Sequence, residues 1–418
     1  MRIWLLYACL ITVFMFPVSE VMAQTDNSKP GLTFTKDIAP ILYAKCVKCH
    51  REGTVAPMSL LNYTTARPWA RAIKQKVLSR EMPPWHADPQ YGPYKNDPTL
   101  SQEEINMIAA WVDAGSPEGN PNDLPAQPVF QEGWLIGTPD VVFQAPEPFK
   151  LPAEGILEYQ DFKFSTNFKE DKWVERVQVL HSNPATVHHF GLHARAPNPR
   201  PDEIEYPGVA PGSSTAPLAP PPTFGTELTA AGVGTAPPQY DDGALLVRAG
   251  SELTLQIHYV TTGSPTSDHT RVGIVFADQP PANQLHSLPI MNLGFEIPAG
   301  APAHEVVAEV TFTDNAKLWS LFPHMHLRGK AFKYELFYPD GHSKVLLSVP
   351  KFDFNWQHDY FLEEPIEVPA GSRLVCTAWF DNSPANRFNP DPSIPVVWGE
   401  QTWDEMMIGF MTYSLEPA

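Results

Sequence analysis

Short runs of alternating apolar and polar residues recur from residue 141 to the end of the chain, separated by Pro, Gly, Asn or Asp. A period of two places successive side chains on opposite faces of a strand. Many short strands at this spacing, without a convincing helix, are typical of sandwiches and jelly rolls. The pattern predicts two all-β antiparallel jelly-roll sandwich domains, 140–283 and 284–418, divided after the turn at Pro280 and Pro281. The predicted strands are 161–165, 173–180, 244–247, 253–260, 271–276, 306–312, 318–322, 332–338, 343–349, 372–380 and 407–415.

The pattern before residue 120 is helical instead. Apolar residues recur at helical spacing from Phe34 to Leu42, and a second helix is predicted at 65–79. A third begins at a capping box, 101–104, and ends at Gly115. These elements predict a small all-α domain at 30–120.

Two stretches lack periodicity and are rich in turn-forming residues. Residues 121–139 contain Asn, Asp, Pro and Gln, which indicates a linker between the helical and β parts. Residues 196–242 are rich in Pro, Gly and Ala and contain few large apolar side chains. We expect this second stretch to be a long loop or disordered insertion inside the first β domain.

The predicted helical domain carries the motif Cys46-Val-Lys-Cys49-His50. Two thiols at this spacing can each bond one vinyl group of a single heme, and the adjacent histidine is then placed as an iron ligand. A zinc half-site is the alternative, but zinc would need two further Cys or His ligands nearby. The motif predicts one covalent heme c, and with the helical pattern it resembles small bacterial class I cytochromes c.

A sixth ligand to the heme iron is expected later in the same domain. Met82 is favoured because it follows a predicted helix and precedes two prolines that would hold its loop rigid. A thioether ligand raises the reduction potential of heme iron. Met58 and Met107 are the competing candidates, and Met82 could instead be an apolar side chain packed near the heme edge.

Residues 1–23 are typical of a cleavable signal peptide, with Arg2, an apolar run and a small-residue cleavage site at Ala23. A lipoprotein site at Cys9 is less favoured because the run before it is short. The apolar core is too short for a good spanning helix, so we expect no membrane span in the mature chain. The formal net charge is −18, which argues against nucleic-acid and anionic-membrane partners.

Cysteine usage indicates the compartment. Of four cysteines, Cys9 leaves with the signal peptide, Cys46 and Cys49 belong to the heme motif, and Cys376 is alone. An exported chain with no spare pair for a disulfide fits a bacterial periplasm. We therefore expect a periplasmic or secreted protein.

The stretch from Phe322 to Lys330 reads as a β-strand that carries two histidines. On a strand, His324 and His326 share one face while Met325 lies on the other. Two imidazoles at this spacing can chelate copper or zinc. The simpler interpretation is two ordinary strand histidines.

A second set of histidines lies in the first β domain. His188 and His189 are adjacent, so both can bind one metal only if the strand twists, bulges or ends there. His258 lies on the polar face of a later strand and could be a third ligand, with His193 as a rival. Taken alone, His188 and His189 are more simply interpreted as ordinary strand histidines, and His258 as a surface histidine.

Near the end of the chain, Met406 and Met407 follow Asp404 and Glu405. Methionine usually fills cores, but two adjacent ones on a strand face opposite ways. A thioether suits Cu(I) and does not suit zinc, so two imidazoles with a methionine favour copper.

The order of these motifs resembles the copper type II, ascorbate-dependent monooxygenases, the family of dopamine β-monooxygenase and peptidylglycine α-hydroxylating monooxygenase. The resemblance covers about residues 140–418 and implies two jelly rolls with one copper each, facing a cleft. It implies that His188, His189 and His258 hold the electron-donating copper. It implies that the oxygen-activating copper is held by His324, His326 and Met406, with Met406 preferred to Met407 because it directly follows the Asp-Glu pair.

Three departures from the family matter. In the peptide-amidating branch an Arg and a Tyr help to hold the substrate carboxylate, and Phe322 and Phe410 stand at those positions here. This favours an apolar or aromatic substrate over a free peptide C-terminus. The animal enzymes are also rich in disulfides and have no heme domain.

These motifs together predict an exported, copper-dependent monooxygenase that hydroxylates a C–H bond of a small organic substrate with O2. Its cofactors would be two coppers and one heme c that passes electrons to the copper site of His188. An external donor, either an ascorbate-like reductant or a periplasmic redox protein, would supply those electrons. The alternatives are a periplasmic heme and copper protein that transfers electrons or binds copper without substrate turnover, and a β-sandwich binding module with structural histidines.

Overall fold

The computed structural model describes residues 31–54, 56–197, 206–212, 225–232, 237–238, 240 and 243–416. The molecule is mostly β, with 39% strand against 13% helix. The predicted signal peptide at 1–23 lies outside the described residues. Within them, no helix is both long and apolar enough to cross a membrane.

The β part begins at residue 141 and contains short strands throughout. Their bounds are β1 Val141–Gln144, β2 Phe149–Leu151, β3 Gln160–Ser165, β4 Lys172–Leu180, β5 Val187–Arg195, β6 Val209–Pro211, β7 Thr226–Gly232, β8 Gly243–Val247, β9 Glu252–Tyr259, β10 Thr266–Asp268 and β11 Arg271–Phe276. The series continues with β12 Asn283–Met291, β13 Glu296–Ile297, β14 His304–Phe312, β15 Ala316–His324, β16 Gly329–Phe337, β17 Ser343–Val349, β18 Tyr360–Val368, β19 Arg373–Phe380, β20 Val396–Val397 and β21 Ile408–Leu415.

One eight-stranded sheet runs through both halves of the β part, in the order β1-β11-β4-β8-β12-β21-β15-β18. The sheet β3-β9-β5-β7 packs against its first half, and the sheet β17-β16-β19-β14-β6 packs against its second half. The strand pairs are antiparallel except for β8 and β12, which pair in parallel from Gly243 to Leu245. The expectation of β-sandwiches is therefore compatible with the structure, and the two sandwiches share a sheet.

Each sandwich has its own apolar core because strand residues alternate between the inner face and solvent. In the first, Leu253, Leu255 and Ile257 of β9 point inward against β4 and β11. In the second, Val306 and Val310 of β14 are buried against β16, β19 and β21. The predicted division at residues 283 and 284 falls at the start of β12.

The N-terminal part contains only short helical segments. These are a π-helical turn Phe34–Ile38, α1 Ala39–Lys45, α2 Tyr63–Ala66, a 3-10 turn Arg67–Trp69, α3 Ala70–Leu78 and α4 Gln102–Asp113, which at 12 residues is the longest. Pro40 and Pro68 lie where the predicted helices are broken, because proline cannot continue the helical hydrogen bonds. A 3-10 turn, Pro121–Asp123, lies in the predicted linker, and another, Pro184–Thr186, precedes β5.

The predicted small all-α cytochrome c domain at 30–120 is wrong. The chain between α3 and α4 is irregular, and its Trp85 and Tyr94 belong to the core of the second sandwich. The N–H of Asp88 donates to the carbonyl of Ser348, 2.8 Å away, and that of Lys95 to the carbonyl of Phe361, also 2.8 Å away. The helical segments bury a separate small cluster around Phe34 and Trp111, but part of the expected domain is integral to the β structure.

Two described stretches of the Pro-rich segment at 196–242 are strands. β7 pairs with β5 in the four-stranded sheet of the first sandwich. β6 pairs with β14 in the five-stranded sheet of the second sandwich. The segment thus contacts both sandwiches.

Candidate metal centre

His188, His189 and His258 form the one group of three or more His, Cys, Asp or Glu side chains, among the described residues, whose ligand atoms lie within 4.8 Å of one another. Their ring centroids are 5.0–5.2 Å apart. His189 is paired with His258 across β5 and β9, whereas the register shifts between Val187 and His189. This bulge at His188 lets two consecutive side chains reach one point. His193, further along β5, is not in the group.

Hydrogen bonds orient the rings of this group. Nε2 of His188 lies 3.2 Å from Oδ1 of Asn355, and Nε2 of His189 lies 3.0 Å from the hydroxyl of Tyr159. The Nδ1 atoms of both rings face inward, 2.8 Å apart, where one can donate its N–H to the other. Nδ1 of His258 is buried and has no hydrogen-bond partner.

The pair His324 and His326 lies at the end of β15. The strand ends at His324, and His326 lies in the turn before β16 rather than on the predicted continuous strand. Both rings still face the same side, with centroids 5.2 Å apart, while Met325 is buried in the core of the second sandwich. Gly329 lets this turn close, because a Cβ there would lie 2.8 Å from the Cβ of Met325.

Hydrogen bonds also orient the rings of this pair, but here they involve Nδ1 instead of Nε2. Nδ1 of His324 lies 2.7 Å from Oε1 of Gln357, and Nδ1 of His326 lies 3.4 Å from the carbonyl oxygen of Asp404. Nε2 of His326 is buried without a hydrogen-bond partner. The unpartnered nitrogen is therefore Nε2 on His326 and Nδ1 on His258.

Burial keeps these imidazoles neutral. It lowers the pKa of His258 and of His324 to about 4 and moves the pKa values of His189 and His326 well below the usual range. The neighbouring histidines lower the pKa of His189 further. Neutral imidazole is the form that binds metal ions.

Met406 and Met407, which directly precede β21, lie on opposite sides of the chain. Met407 is fully buried in the core of the second sandwich. Met406 packs with Phe322 and Phe410, and both of these rings have centroids 6.5 Å from that of His324. Met406 is therefore the methionine on the side of the histidine pair.

The two histidine groups are neighbours. The ring centroids of His189 and His324 are 6.1 Å apart. Phe354 lies beside both groups, stacked on His188 at 4.6 Å and 6.2 Å from His326, so the five imidazoles form one continuous cluster.

A buried carboxylate fixes the turn that carries His326. The oxygens of Glu405 accept hydrogen bonds from the backbone N–H of His326 at 2.9 Å and of Arg328 at 2.6 Å. Arg328 is itself buried and donates to the carbonyl of Trp403 and to Oδ1 of Asn382. Burial raises the pKa of Glu405 to about 8, and the N–H donors and Arg328 oppose that shift. These bonds join the histidine turn to the loop that carries Met406.

The Cys46 motif forms a turn at the end of α1. The N–H groups of Cys49 and His50 both donate to the carbonyl of Cys46. Both thiols are free, and burial raises the pKa of Cys46 to about 12. Nδ1 of His50 is buried without a partner. Free thiols next to an unpartnered imidazole fit covalent heme attachment.

The structure does not single out one of the three candidate methionines as the sixth ligand of the heme iron. Met58 and Met107 pack against the cluster of the helical segments, and Met82 is not among the side chains that the described structure packs there. Met82 is half-buried and follows α3 in the irregular segment that leads to the second sandwich.

The donor sets fit copper. Five neutral imidazoles, two with buried unpartnered nitrogens, and a thioether nearby suit a soft or borderline ion. Backbone and side-chain acceptors on the other ring nitrogens are the outer contacts that metal-binding histidines usually have.

Sequence reasoning did not find Tyr159, Phe354, Asn355, Gln357 or the role of Glu405. Only Glu405 carried a signal, because it directly precedes Met406. The others reach the site from distant parts of the chain.

Comparison with known proteins adds no functional information. No family model matches the chain, and no curated protein matches it. Among solved structures, PNGF-II shows 10% identity and a TM-score of 0.30, covering 66% of each chain, so this chain spans just under two thirds of it. STIV MCP shows 9% identity and a TM-score of 0.26, covering 66% of this chain and 96% of that one. These likenesses are too weak to support an argument.

Proposed function

We propose that this protein is an exported, copper-dependent monooxygenase that hydroxylates a C–H bond of a small apolar or aromatic molecule with O2. The observation that carries the proposal is the continuous cluster of five imidazoles, brought from two sandwiches to one place. Their outer nitrogens are hydrogen-bonded and their inner nitrogens are directed toward each other or left without partners. The buried, unpartnered nitrogens of His258 and His326 are costly unless a ligand satisfies them.

Two groups of residues would hold copper. His188, His189 and His258 would hold one ion, and the other would be held by His324, His326 and Met406. Bound copper would supply one-electron transfer and the activation of dioxygen. The overall reaction consumes one O2, two electrons and two protons, and gives the hydroxylated product and one water.

The chain's own residues prepare this site. Asn355, Tyr159 and Gln357 orient the imidazoles, and burial keeps them neutral. Phe322 and Phe410 are stacked at 5.7 Å beside His324 and would present an apolar wall to the substrate. Neither ring can pair with a carboxylate, so a free peptide C-terminus is disfavoured.

We further propose that Cys46 and Cys49 bind one heme covalently and that His50 is an iron ligand. The free thiols and the buried, unpartnered Nδ1 of His50 support this. Export to a periplasm, which the first 23 residues favour, would expose the chain to heme attachment. Heme held by these residues would supply one-electron transfer between an external donor and the copper site of His188.

One observation favours the alternative of a heme and copper protein that transfers electrons or binds copper without substrate turnover. Phe354 lies over His188, His189 and His258 from the side of the second sandwich, with centroids 4.6–6.1 Å from the three rings. A covered group of imidazoles would suit electron transfer alone.

Metal content and oxygen uptake together test the proposal. We expect His258→Ala and Met406→Ala each to bind one copper equivalent fewer than the wild type. His342→Ala, which alters an exposed histidine, should bind as much as the wild type. With an aromatic substrate, the wild type should consume O2 in proportion to hydroxylated product, and both site variants should not. Unchanged copper in the two variants would refute the copper centre, whereas copper and heme without product from any substrate would favour the alternative.

A further inference from the structure

Residues 85–96, which we call the edge segment, pack along the outer edge of the second sandwich. β18 is the last strand of the eight-stranded sheet, and an uncovered edge strand would present unpaired backbone groups. The N–H of Lys95 donates to the carbonyl of Phe361 on this strand, and Tyr94 forms an antiparallel bridge with Leu362. The edge segment therefore continues the sheet by a few residues.

The edge segment also holds both ends of one loop. This loop, residues 350–359, connects β17 to β18. Just before it, the carbonyl of Ser348 accepts a hydrogen bond from the N–H of Asp88, 2.8 Å away. At its end, Nδ2 of Asn96 donates to the carbonyl of Asp359 at 2.7 Å, and Oδ1 of the same side chain accepts from the second N–H of β18 at 3.1 Å. The loop thus begins and ends on contacts with the edge segment.

Trp85 adds an aromatic contact at the end of the loop. Its ring is buried, with its centroid 5.9 Å from that of His358 and 4.7 Å from that of Tyr360. Tyr94 packs on both Trp85 and Tyr360, at 5.9 and 5.5 Å. Packed aromatic rings of this kind stabilise a contact beyond the area that they bury. These rings fix the position of residue 358 relative to the edge segment.

The same loop contacts the cluster of five imidazoles. Phe354 stacks on His188, Asn355 lies within hydrogen-bonding distance of the same ring, and Gln357 lies within hydrogen-bonding distance of His324. The residue that packs on Trp85 directly follows Gln357 in the chain. A displacement of the loop would therefore move side chains that orient rings in both groups of imidazoles.

We propose that Trp85 and Asn96 are positioning residues of the copper centre, which hold the loop of residues 350–359 against both groups of imidazoles. The two residues act through the loop, whose side chains make the outer contacts of the histidines. Loss of such outer contacts typically weakens metal binding by about 10- to 100-fold. The edge segment lies between α3 and α4, so it also connects the helical part to the copper centre. This inference rests on the proposed copper centre.

Hydrogen exchange of the backbone amides at 350–359 tests the contact with the loop in the copper-free protein. We expect faster exchange in Trp85→Ala and in Asn96→Leu than in the wild type. Asn96 is exposed, so its replacement leaves the core intact. Trp85→Phe keeps an aromatic ring and should restore slow exchange. Phe312→Ala, which removes a buried ring of β14 from the same core, is the matched control and should leave exchange of the loop unchanged.

Copper titration of the same variants tests the consequence for the copper centre. Trp85→Ala and Asn96→Leu should each weaken copper binding by about tenfold or more at both groups of imidazoles. Titration in the Met406→Ala and His258→Ala backgrounds reports the two groups separately. Phe312→Ala should keep the affinity of the wild type.

The positioning role is refuted if the loop exchanges as slowly in Trp85→Ala and Asn96→Leu as in the wild type. It is also refuted if exchange becomes faster while copper affinity stays the same. Equal weakening in Phe312→Ala would assign the effect to a general loss of stability and would overturn the proposal as well. A wild-type protein that binds no copper would refute the copper centre itself, which distinguishes that failure from a failure of the positioning role.

Discussion

Nδ1 of His188 lies 2.8 Å from Nδ1 of His189, its immediate neighbour in the chain. Consecutive residues of a regular strand point to opposite faces, and the bulge in β5 at His188 removes that restriction. Both rings carry their outward hydrogen bond on Nε2. At this distance one Nδ1–H donates to the other Nδ1, and a metal ion bound by both nitrogens would replace that proton.

Asn355 and Gln357 are expected to affect the copper affinity of different groups of imidazoles. Asn355 contacts the ring of His188, and Gln357 contacts the ring of His324. Asn355→Leu should weaken copper binding at His188, His189 and His258 by about 10- to 100-fold. Gln357→Leu should weaken copper binding by a similar factor, but only at His324 and His326. Copper titration in the Met406→Ala background reports the first group, and titration in the His258→Ala background reports the second.

The control for this pair is Asn355→Asp, which keeps an oxygen acceptor and should retain most of the affinity. Equal weakening of both groups by either Leu variant would contradict the separate roles and indicate a general disturbance of the loop.

Cys46→Ala is expected to abolish doubly bonded heme in the exported protein, because one of the two thioether bonds cannot form. Heme that stays with the chain after denaturation, followed by its absorbance, is the measurement. Cys376→Ala should keep its heme, since that thiol is buried in the second sandwich. Covalent heme at the wild-type level in Cys46→Ala would contradict attachment at this motif.

The axial methionine can be assigned in the same protein. Met82→Ala should lose the absorption band of methionine-bound ferric heme if Met82 is the ligand. Met58→Ala is the matched comparison, because Met58 packs beside the helical segments. Loss of the band in Met58→Ala alone would assign the ligand to Met58.

The ionised carboxylate of Asp268 is expected to stabilise the first sandwich, and this stabilisation should be lost at acid pH. Burial alone would raise its pKa, but hydrogen bonds from His181, Thr270 and the backbone N–H of Asn183 hold the pKa below its usual value. A lowered folded-state pKa stabilises the fold above the unfolded pKa, about 3.9, and this contribution is lost as the pH falls below it.

Urea unfolding of the apoprotein measures this effect. Asp268→Asn should lower the free energy of unfolding at pH 7 by about 1–3 kcal/mol, and the difference from the wild type should shrink at pH 3. Asp161→Asn, at an exposed position on β3, should change little at either pH. A constant difference between pH 7 and pH 3 would show that ionisation of Asp268 does not contribute.

Phe410 is expected to determine the substrate class. Removing its ring deletes an apolar contact of about 1.5–3 kcal/mol, so Phe410→Ala should reduce kcat/KM for an aromatic substrate by about tenfold or more. Copper content should not change, because Phe410 is not a ligand. Phe388→Ala, which alters an exposed ring, is the control. An equal loss for aromatic and carboxylate-bearing substrates would contradict the role in specificity.

Patterns among neighbouring residues predicted the secondary structure of the β part well. Alternation predicted most of the strands, and β9 and β16 lie close to the predicted 253–260 and 332–338. The spacing of His324 and His326 correctly indicated one shared side. Alternation indicated that Met406 and Met407 face opposite ways, but the preference for Met406 came from its position directly after Asp404 and Glu405.

Long-range relationships were not predictable from these patterns. The all-α domain was expected because α3 and α4 are helical, but the chain between them is irregular and Trp85 packs into a β core. The shared sheet depends on a parallel pairing of β8 with β12, which no local pattern signals. Asn355 and Gln357 carry no motif, since their function comes from where their loop lies.

The eight-stranded sheet also limits how the molecule can deform. The first and second sandwiches are joined through hydrogen bonds between β8 and β12. The two sandwiches therefore cannot move apart without breaking these hydrogen bonds. The gap between His189 and His324 is therefore set by backbone geometry. An opening that keeps these strand hydrogen bonds would have to come from the loop that carries Phe354, Asn355 and Gln357.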